Sequence, residues 1–182
     1  RLGTVLSFYR DGLGLQWALS ATLPTLSTMS FTNNNAKFFH QHDVEQLKNG
    51  NLRMLANVNF QENCSVWNPD VCWSRALELR MDFQAMTASV AWEFDAEREI
   101  FDAIGGSVIR LETTGNYYVF FSKVQQSGGY GAPHQPGRFF EVDPNGTVIA
   151  LVEIPAPNES YWFSGGYRAI PLDLSRHGGA AT

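Results

Sequence analysis

The sequence is poor in charge, in long apolar runs and in helical periodicity, and each shortage excludes a class of protein. Charged residues make up 17% of the 182 residues and the net charge is −5, so no basic stripe can neutralise the phosphates of a nucleic acid. No apolar run approaches the roughly 20 residues that span a bilayer, so no membrane span is expected. The one helical candidate, residues 94–104, predicts either a short helix or a loop with one helical turn.

Cysteine is also scarce, and the two that occur lie close together. Cys64 and Cys72 are eight positions apart in a polar segment that contains a proline. Such a segment could close a disulfide in an oxidising compartment, and the alternative is a pair of unrelated free thiols. The chain opens on Arg1, which we interpret as a processing or cloning boundary, so the lack of a signal peptide indicates no compartment.

Aromatic residues, by contrast, are abundant at 13%, and the 44% of hydrophobic residues indicates a globular core rich in strands. Short apolar runs alternate with Gly, Asn, Asp and Pro. This pattern predicts β-hairpins, because Asn-Gly and Asp-Gly supply the positive φ that tight turns require. The five predicted hairpins pair residues 5–9 with 15–19, 39–47 with 51–58, 75–81 with 87–94, 107–111 with 117–122, and 139–142 with 147–154.

The hairpins alternate between two kinds, which makes an internal repeat. The first kind carries a leucine, a short polar run and Gly-Asn, and its glycines, Gly50 and Gly115, are 65 positions apart. The second kind carries an Arg-x-x-Glu strand, with copies at residues 75–78 and 138–141, and the hairpin over residues 5–19 is an earlier copy. Positions that repeat in this way usually serve packing, so we interpret the repeated Arg and Glu as structural.

Two hairpins make a four-stranded unit, and such units at fixed spacing predict an all-β fold of β-propeller blades. Residues 1–37 would form the outer hairpin and a loop of one blade, residues 38–104 a second blade, and residues 105–182 a third blade with a C-terminal segment. The chain would then hold two to three blades, whereas propellers usually have four to eight. We therefore expect a piece of a larger propeller, with a small open β-domain as the alternative.

The densest group of reactive side chains lies in the strand predicted at residues 38–46. A strand would put His40 and His42 on one face and Asp43 on the other. Three interpretations stay open on spacing alone: a histidine nucleophile or acid–base pair, a metal site, and strand residues that only form hydrogen bonds. The metal site is the least favoured, because no third and fourth ligand has suitable spacing, and no metal is expected.

Four stretches in chain order resemble the bacterial-type arylsulfotransferase family. Residues 41–55 are similar to its QHD and NGN stretch, and residues 74–94 to its SRxxEYxxDxxxMTxxxxWEY hairpin. Residues 106–116 resemble its next inner hairpin, and Gly166-Tyr-Arg-Ala169 resembles its closing GYRA segment. After the NGN strand the family often has Asp-Asn-Gly, whereas this chain has Ala56-Asn-Val-Asn59 and then the cysteine segment.

The resemblance implies a six-bladed propeller with an active site in the central channel, no cofactor, and sulfuryl transfer from an aryl sulfate to a phenol without a nucleotide donor such as PAPS. The family works through a transient sulfohistidine in a ping-pong cycle, and His42 matches that histidine. Tyr167 matches a tyrosine that lines the site. Ser107 lies where a hydroxyl approaches the channel, and the alternative is a plain serine at the start of a strand. Arg168 could bind the sulfate or form a structural salt bridge, and His40 could orient His42.

The resemblance also implies the partners and the location of the protein. Its partners would be aryl sulfates, phenols and the remaining blades of the parent chain, in the periplasm or outside the cell, and a homo-oligomer is left open. Some groups that assist the histidine lie in other blades of the family, so this chain alone is expected to be incomplete as an enzyme. One alternative is a propeller that has lost the chemistry and acts as a binding or scaffold module, and another is a sulfatase-like hydrolase.

Overall fold

The computed structural model describes residues 3–58, 61, 64, 70–102, 104–122, 124–125, 136–154 and 168–170. This part of the chain is all-β, with thirteen strands in open sheets and two short 3-10 turns, Asn34–Ala36 and Ala96–Arg98. The strands are β1 (Thr4–Phe8), β2 (Leu15–Ser20), β3 (Ser30–Phe31), β4 (Gln41–Gln46), β5 (Leu52–Ala56), β6 (Arg75–Asp82), β7 (Thr87–Phe94), β8 (Phe101–Asp102), β9 (Ser107–Arg110), β10 (Tyr117–Phe121), β11 (Val124–Gln125), β12 (Gly137–Val142) and β13 (Val148–Ile154).

Two four-stranded antiparallel units dominate the fold. The first has the strand order β4-β5-β6-β7 and carries β3 as a parallel edge strand on β7, and the second has the order β9-β10-β12-β13. The five predicted hairpins are confirmed, as β1 with β2, β4 with β5, β6 with β7, β9 with β10, and β12 with β13. The two-residue strands β3, β8 and β11 were not predicted, because two residues show no periodicity.

The segment that gave the only helical signal is a loop with one helical turn. Ala96–Arg98 forms a 3-10 turn in which all three residues have positive φ, between 47° and 63°. The Asp95 side chain accepts a hydrogen bond from the Glu97 amide at 3.1 Å and caps the turn. Of the two structures predicted for this segment, the loop is therefore the correct one.

The internal repeat of the sequence is also a repeat of backbone bonding. In the β4–β5 turn the Leu47 amide donates to the Asn51 carbonyl at 2.8 Å, and in the β9–β10 turn the Leu111 amide donates to the Asn116 carbonyl at the same distance. The glycine of each turn has a positive φ, 87° in the first and 77° in the second. Glycine occupies these positions because other residues pay a steric penalty there.

The repeat extends to side chains that join neighbouring strands. Asn51 Nδ2 donates to Glu78 Oε1 at 2.7 Å in the first unit, and Asn116 Nδ2 donates to Glu141 Oε1 at 2.7 Å in the second. Each bond fixes the start of one strand against the middle of the next. The repeated glutamates therefore have the structural role that the repeat predicts.

The repeated arginines form matching ion pairs. Arg75 contacts Glu93 at 2.8 Å across β6 and β7, and Arg138 contacts Glu153 at 3.1 Å across β12 and β13. The Arg75 guanidinium is buried and also donates to the Lys37 carbonyl at 2.7 Å. A buried guanidinium needs such partners, because a charge without them is costly to remove from water.

Apolar side chains fill the space between the two four-stranded units. Each of the larger ones contributes about 1.5–3 kcal/mol through its removal from water. Phe94 packs edge-to-face on Phe140 with ring centroids 5.2 Å apart, and this pair ties β7 to the second unit. The main members of this interface are Leu55, Ala76, Phe94 and Ile100 on one side and Val108, Val119, Phe121, Phe140 and Val142 on the other.

Gly106 precedes β9 and lies in tight contact with Leu55 of the first unit. Its φ is 86°, and a Cβ added there would overlap Leu55 Cδ2 and lie 2.5 Å from the Phe120 carbonyl oxygen. Because no larger residue fits, the first strand of the second unit lies directly against the first unit. Ser107 is thereby brought toward β4, the strand that carries His42.

Candidate active site

His42 lies on β4, opposite Leu55 of β5, at the point where the ladder becomes irregular. The register shifts between His42 and Glu45, so two residues of β4 oppose one residue of β5. Asp43, in the bulge, has φ 54°, a left-handed conformation that aspartate tolerates better than most residues. His42 itself is half-buried, and its Nε2 atom is shielded from solvent.

His40 precedes the strand instead of belonging to it. The strand was predicted from residue 38, but β4 begins at Gln41, and His40 has φ 48°. The two imidazoles nevertheless meet: their centroids are 5.1 Å apart at an interplanar angle of 70°, and His40 is buried. The predicted proximity of the histidines therefore has a different origin, a bend before the strand and not the alternation of strand faces.

Asp43 connects three segments of the chain that are distant in sequence. Its Oδ2 accepts a hydrogen bond from the Val108 amide of β9 at 3.0 Å, and its Oδ1 lies 2.7 Å from Arg168 Nη2. The side chain is only 9% exposed. Strand alternation had put Asp43 on the face away from the site, and the bulge is the reason why that argument does not apply.

Ser107 holds the same segment as Asp43, one residue further along. Its hydroxyl donates to the Ala169 carbonyl at 3.1 Å and accepts from the Ala169 amide at 3.2 Å. Ser107 is 1% exposed, so its hydroxyl is occupied by backbone in this structure. Arg168 and Ala169 are thus fixed side by side, the first by Asp43 and the second by Ser107.

Of the predicted site residues, the structure brings His42, His40, Ser107 and Arg168 into one region. Tyr167 lies outside the described residues. Arg168 forms the salt bridge that was one of its two predicted roles, but its side chain is still 49% exposed. Asp43 was missed as a site residue, because neither the bulge nor its long-range partners can be read from local sequence.

Beyond Arg168 opens a cavity of about 650 Å³ between the two Gly-Asn turns. Its charged lining includes four cations and two carboxylates, in a chain whose net charge is −5. Arg53 pairs with Glu45, and Lys48 pairs with Glu112 at 3.0 Å. The charged residues are Lys48, Arg53, Arg110, Arg168, Glu45 and Glu112.

A second polar cluster joins the two units. Tyr117 Oη donates to Glu78 Oε2 at 2.8 Å, and the Tyr117 ring stacks on Trp92 with centroids 3.7 Å apart. Burial, followed by the hydrogen bond to Glu78 and its charge, raises the pKa of Tyr117 to about 12. The phenol is therefore a neutral hydrogen-bond donor that joins the units, and it does not titrate near neutral pH.

The two cysteines form the predicted disulfide. Cys64 and Cys72 are bonded with their Cα atoms 5.4 Å apart, and both side chains are buried. The bond lies in the connection between β5 and β6 of the first unit. Among the described residues no helix is long and apolar enough to cross a membrane, and no group of three or more His, Cys, Asp or Glu could hold a metal ion.

The chain matches a protein-family model. The model described as Arylsulfotransferase (ASST) matches residues 14–162, more than three quarters of the chain. The matched range includes both four-stranded units, the histidine strand and the disulfide. A search of curated proteins found no match.

Proposed function

The chain belongs to the arylsulfotransferase (ASST) family, and on that premise we propose that it transfers a sulfuryl group from an aryl sulfate ester to a phenolic acceptor through His42. The observation that carries the proposal is the convergence on β4 of three separate motifs. Asp43, next to His42, binds both the start of β9 and Arg168 of the closing segment. Segments that are distant in sequence and meet at the residue next to a candidate nucleophile are a geometry that favours an active site.

The proposed reaction has two half-steps. An unprotonated nitrogen of the His42 imidazole attacks the sulfur of the aryl sulfate and forms an N–S bond. The S–O bond to the aryl group breaks, and its electron pair leaves with the phenolate oxygen, which then takes a proton from solvent. In the second half-step the acceptor phenol loses its proton to solvent, its phenolate oxygen attacks the same sulfur, and the N–S electron pair returns to the imidazole.

Arg168 is the cation that we assign to the anionic sulfuryl group. A guanidinium carries five N–H donors, and the contact with Asp43 uses Nη2 on one side. The half-exposed side chain also lines the 650 Å³ cavity, which is large enough for an aryl sulfate. Donors held in place before the reaction stabilise the charge that develops on the sulfuryl oxygens.

For the architecture we propose a six-bladed propeller in which each four-stranded unit is a blade. The repeated bonding of the two units supports this, because blades are built alike. The outer strand of the second unit supports it too: Ala150 and Val152 of β13 are exposed, although their counterparts Trp92 and Phe94 in β7 pack on the next unit. The remaining blades of the parent chain would cover this face.

We further propose a periplasmic or secreted location. The support is the Cys64–Cys72 disulfide, since such bonds persist in oxidising compartments and are rare in the cytosol. The donor and acceptor would then be small phenols and their sulfate esters that reach the protein outside the cytoplasm.

The test is to incubate the complete propeller with 4-nitrophenyl sulfate and phenol, and to follow nitrophenolate release and phenyl sulfate formation. His42→Ala should lower the rate by at least about a thousandfold, as loss of a nucleophile does elsewhere. Without acceptor, mass spectrometry of peptides should find one added SO₃ group on His42 and on none of the other three histidines.

The outcomes separate the proposal from its alternatives. Nitrophenolate release that His42→Ala leaves intact would contradict the nucleophile assignment. Release with no phenyl sulfate formed would indicate a hydrolase that uses water as acceptor. Neither release nor modification in the wild type would favour a propeller that serves as a binding or scaffold module. His40→Ala should slow transfer but keep the modification on His42, if His40 only orients its neighbour.

A further inference from the structure

We propose that Asp43 is a positioning residue, which docks the closing segment against β4 and β9 and so holds Arg168 against the strand that carries His42. Its role in sulfuryl transfer rests on the proposed function, but the docking itself does not. The resemblance gives Asp43 no task beyond its place in the QHD string. The geometry points to this task because both carboxylate oxygens bind groups from other segments.

The two contacts of Asp43 explain why a carboxylate is needed. The side chain is only 9% exposed, and a buried carboxylate is strongly unfavourable unless it is paired and hydrogen-bonded. The Val108 amide at 3.0 Å and the Arg168 guanidinium at 2.7 Å supply those partners. Asparagine has the same shape but no charge, so it would keep at most the amide contact at full strength.

Ser107 provides the second attachment point of the segment. Its hydroxyl bonds both polar backbone atoms of Ala169, at 3.1 and 3.2 Å, and Ala169 directly follows Arg168. Arg168 is therefore held by β4, and the following residue, Ala169, is held by β9. The segment has little freedom to rotate about either point, and the Arg168 side chain is fixed relative to β4.

The burial of Asp43 excludes a second task for this residue. Since the side chain is only 9% exposed and does not line the cavity, the carboxylate is not placed to take a proton from an acceptor phenol. It acts on the substrate only through Arg168. Removal of Asp43 should therefore weaken the binding of the anionic donor and leave the pH dependence of kcat unchanged.

The first experiment measures docking without any need for activity. In the 182-residue chain, amide hydrogen exchange at Val108 and Ala169 is compared between wild type, Asp43→Asn, Ser107→Ala and Arg168→Gln. Asp43→Asn and Arg168→Gln should each speed exchange at Ala169 by about tenfold, the effect expected from one lost charge-assisted contact. Ser107→Ala should speed it at least as much, because it removes the hydroxyl that accepts from the Ala169 amide. Asp143→Asn is the matched control, because the Asp143 carboxylate binds two backbone amides at 2.8 Å in the β12–β13 turn. This variant should leave exchange at Val108 and Ala169 unchanged.

The second experiment measures the kinetic role in the complete propeller. Asp43→Asn should raise the KM for 4-nitrophenyl sulfate by about tenfold, with a smaller change in kcat. The double variant Asp43→Asn with Arg168→Gln should have the KM of Arg168→Gln alone, because Asp43 acts only through Arg168. A purely structural defect would instead lower the fraction of active enzyme at unchanged KM.

Several results would overturn the proposal. Unchanged exchange at Ala169 in Asp43→Asn would show that Asp43 does not dock the segment. Effects on KM that multiply in the double variant would show that the residues act independently. Loss of a limb of the kcat–pH profile would make Asp43 a proton acceptor. If the wild type transfers no sulfuryl group, the proposed function fails, while the exchange data still decide the docking. Because the Arg168 side chain is half-exposed, Arg168→Gln should fold even if Asp43→Asn does not.

Discussion

Replacing Tyr117 by phenylalanine removes one oxygen atom from the interface between the two units and keeps the aromatic ring. The ring continues to stack on Trp92, whereas Glu78 Oε2 loses the hydroxyl that lies 2.8 Å away. Glu78 is 4% exposed, so water cannot readily replace the lost donor. Asn51 still binds the other carboxylate oxygen. The substitution therefore isolates a single buried hydrogen bond to a charged group.

The expected loss of stability is about 2 kcal/mol, within the range for hydrogen bonds to charged groups. For a domain of this size that loss lowers Tm by about 4–8 °C. The assay is urea unfolding at pH 7 followed by circular dichroism, with Tyr118→Phe as the matched control. Tyr118 is the neighbouring residue on β10 and packs on Phe139, and its loss of a hydroxyl should change stability by less than about 0.5 kcal/mol.

The raised pKa of Tyr117 adds a pH dependence with a definite sign. The folded-state pKa is about 12, against an ordinary value of 10, so the unfolded chain releases this proton first. The contribution is thus complete below pH 10 and is lost as the pH rises toward 12. Wild-type stability should fall more steeply than that of Tyr117→Phe across this window. Parallel curves, or a Tyr117→Phe variant as stable as Tyr118→Phe, would refute the reasoning.

Two further predictions concern a tightly packed glycine and the disulfide. Gly106→Ala should destabilise the chain by about 3 kcal/mol or more in urea unfolding, because its Cβ meets Leu55 and the Phe120 carbonyl. Gly146 has open space around it and φ 90°, so Gly146→Ala should show only the cost of left-handed backbone, about 1–2 kcal/mol. Equal losses in the two variants would argue against the clash. The double variant Cys64→Ala with Cys72→Ala should lose about 2.5 kcal/mol of unfolding free energy, because the nine-residue loop is no longer closed in the unfolded chain. A reducing agent should lower the stability of the wild type by the same amount and leave the variant unchanged. An effect of the reductant on the variant would contradict this account.

The hairpins and their repeat could be predicted from sequence because the signals are local. A turn such as Leu47 to Asn51 is encoded within five residues, and its glycine is required by the backbone it adopts. The same holds for Leu111 to Asn116. The repeated glutamates could be interpreted as structural because they recur at equivalent positions of the repeat. In the structure Asn51 binds Glu78, which agrees with that interpretation. The disulfide was suggested for the same reason, since its cysteines are close in sequence.

The candidate site was harder to predict, because its geometry depends on long-range contacts and on one irregularity. The argument from strand alternation separated Asp43 from the site, but the bulge after His42 breaks the alternation. Arg168 and Asp43 are 125 positions apart in sequence, and no local pattern joins them. Tyr117 and Glu78 likewise meet only when the two units pack. The residue types of the site could be predicted from the sequence, whereas the contacts between them depend on the packing of the two units.

The bulge in β4 also sets a limit on chain length near the histidine. Because side chains of a strand alternate between two faces, the one extra residue between His42 and Glu45 shifts the phase of the strand by half a period. Everything after the bulge keeps its pairing with β5, including the contact of Glu45 with Arg53. A chain one residue shorter or longer at this point would retain the hairpin and the fold, yet turn His42 toward the opposite face of the sheet. The spacing of the segment, as much as the identity of its residues, is therefore what a natural or designed relative must preserve to keep the imidazole in its present orientation.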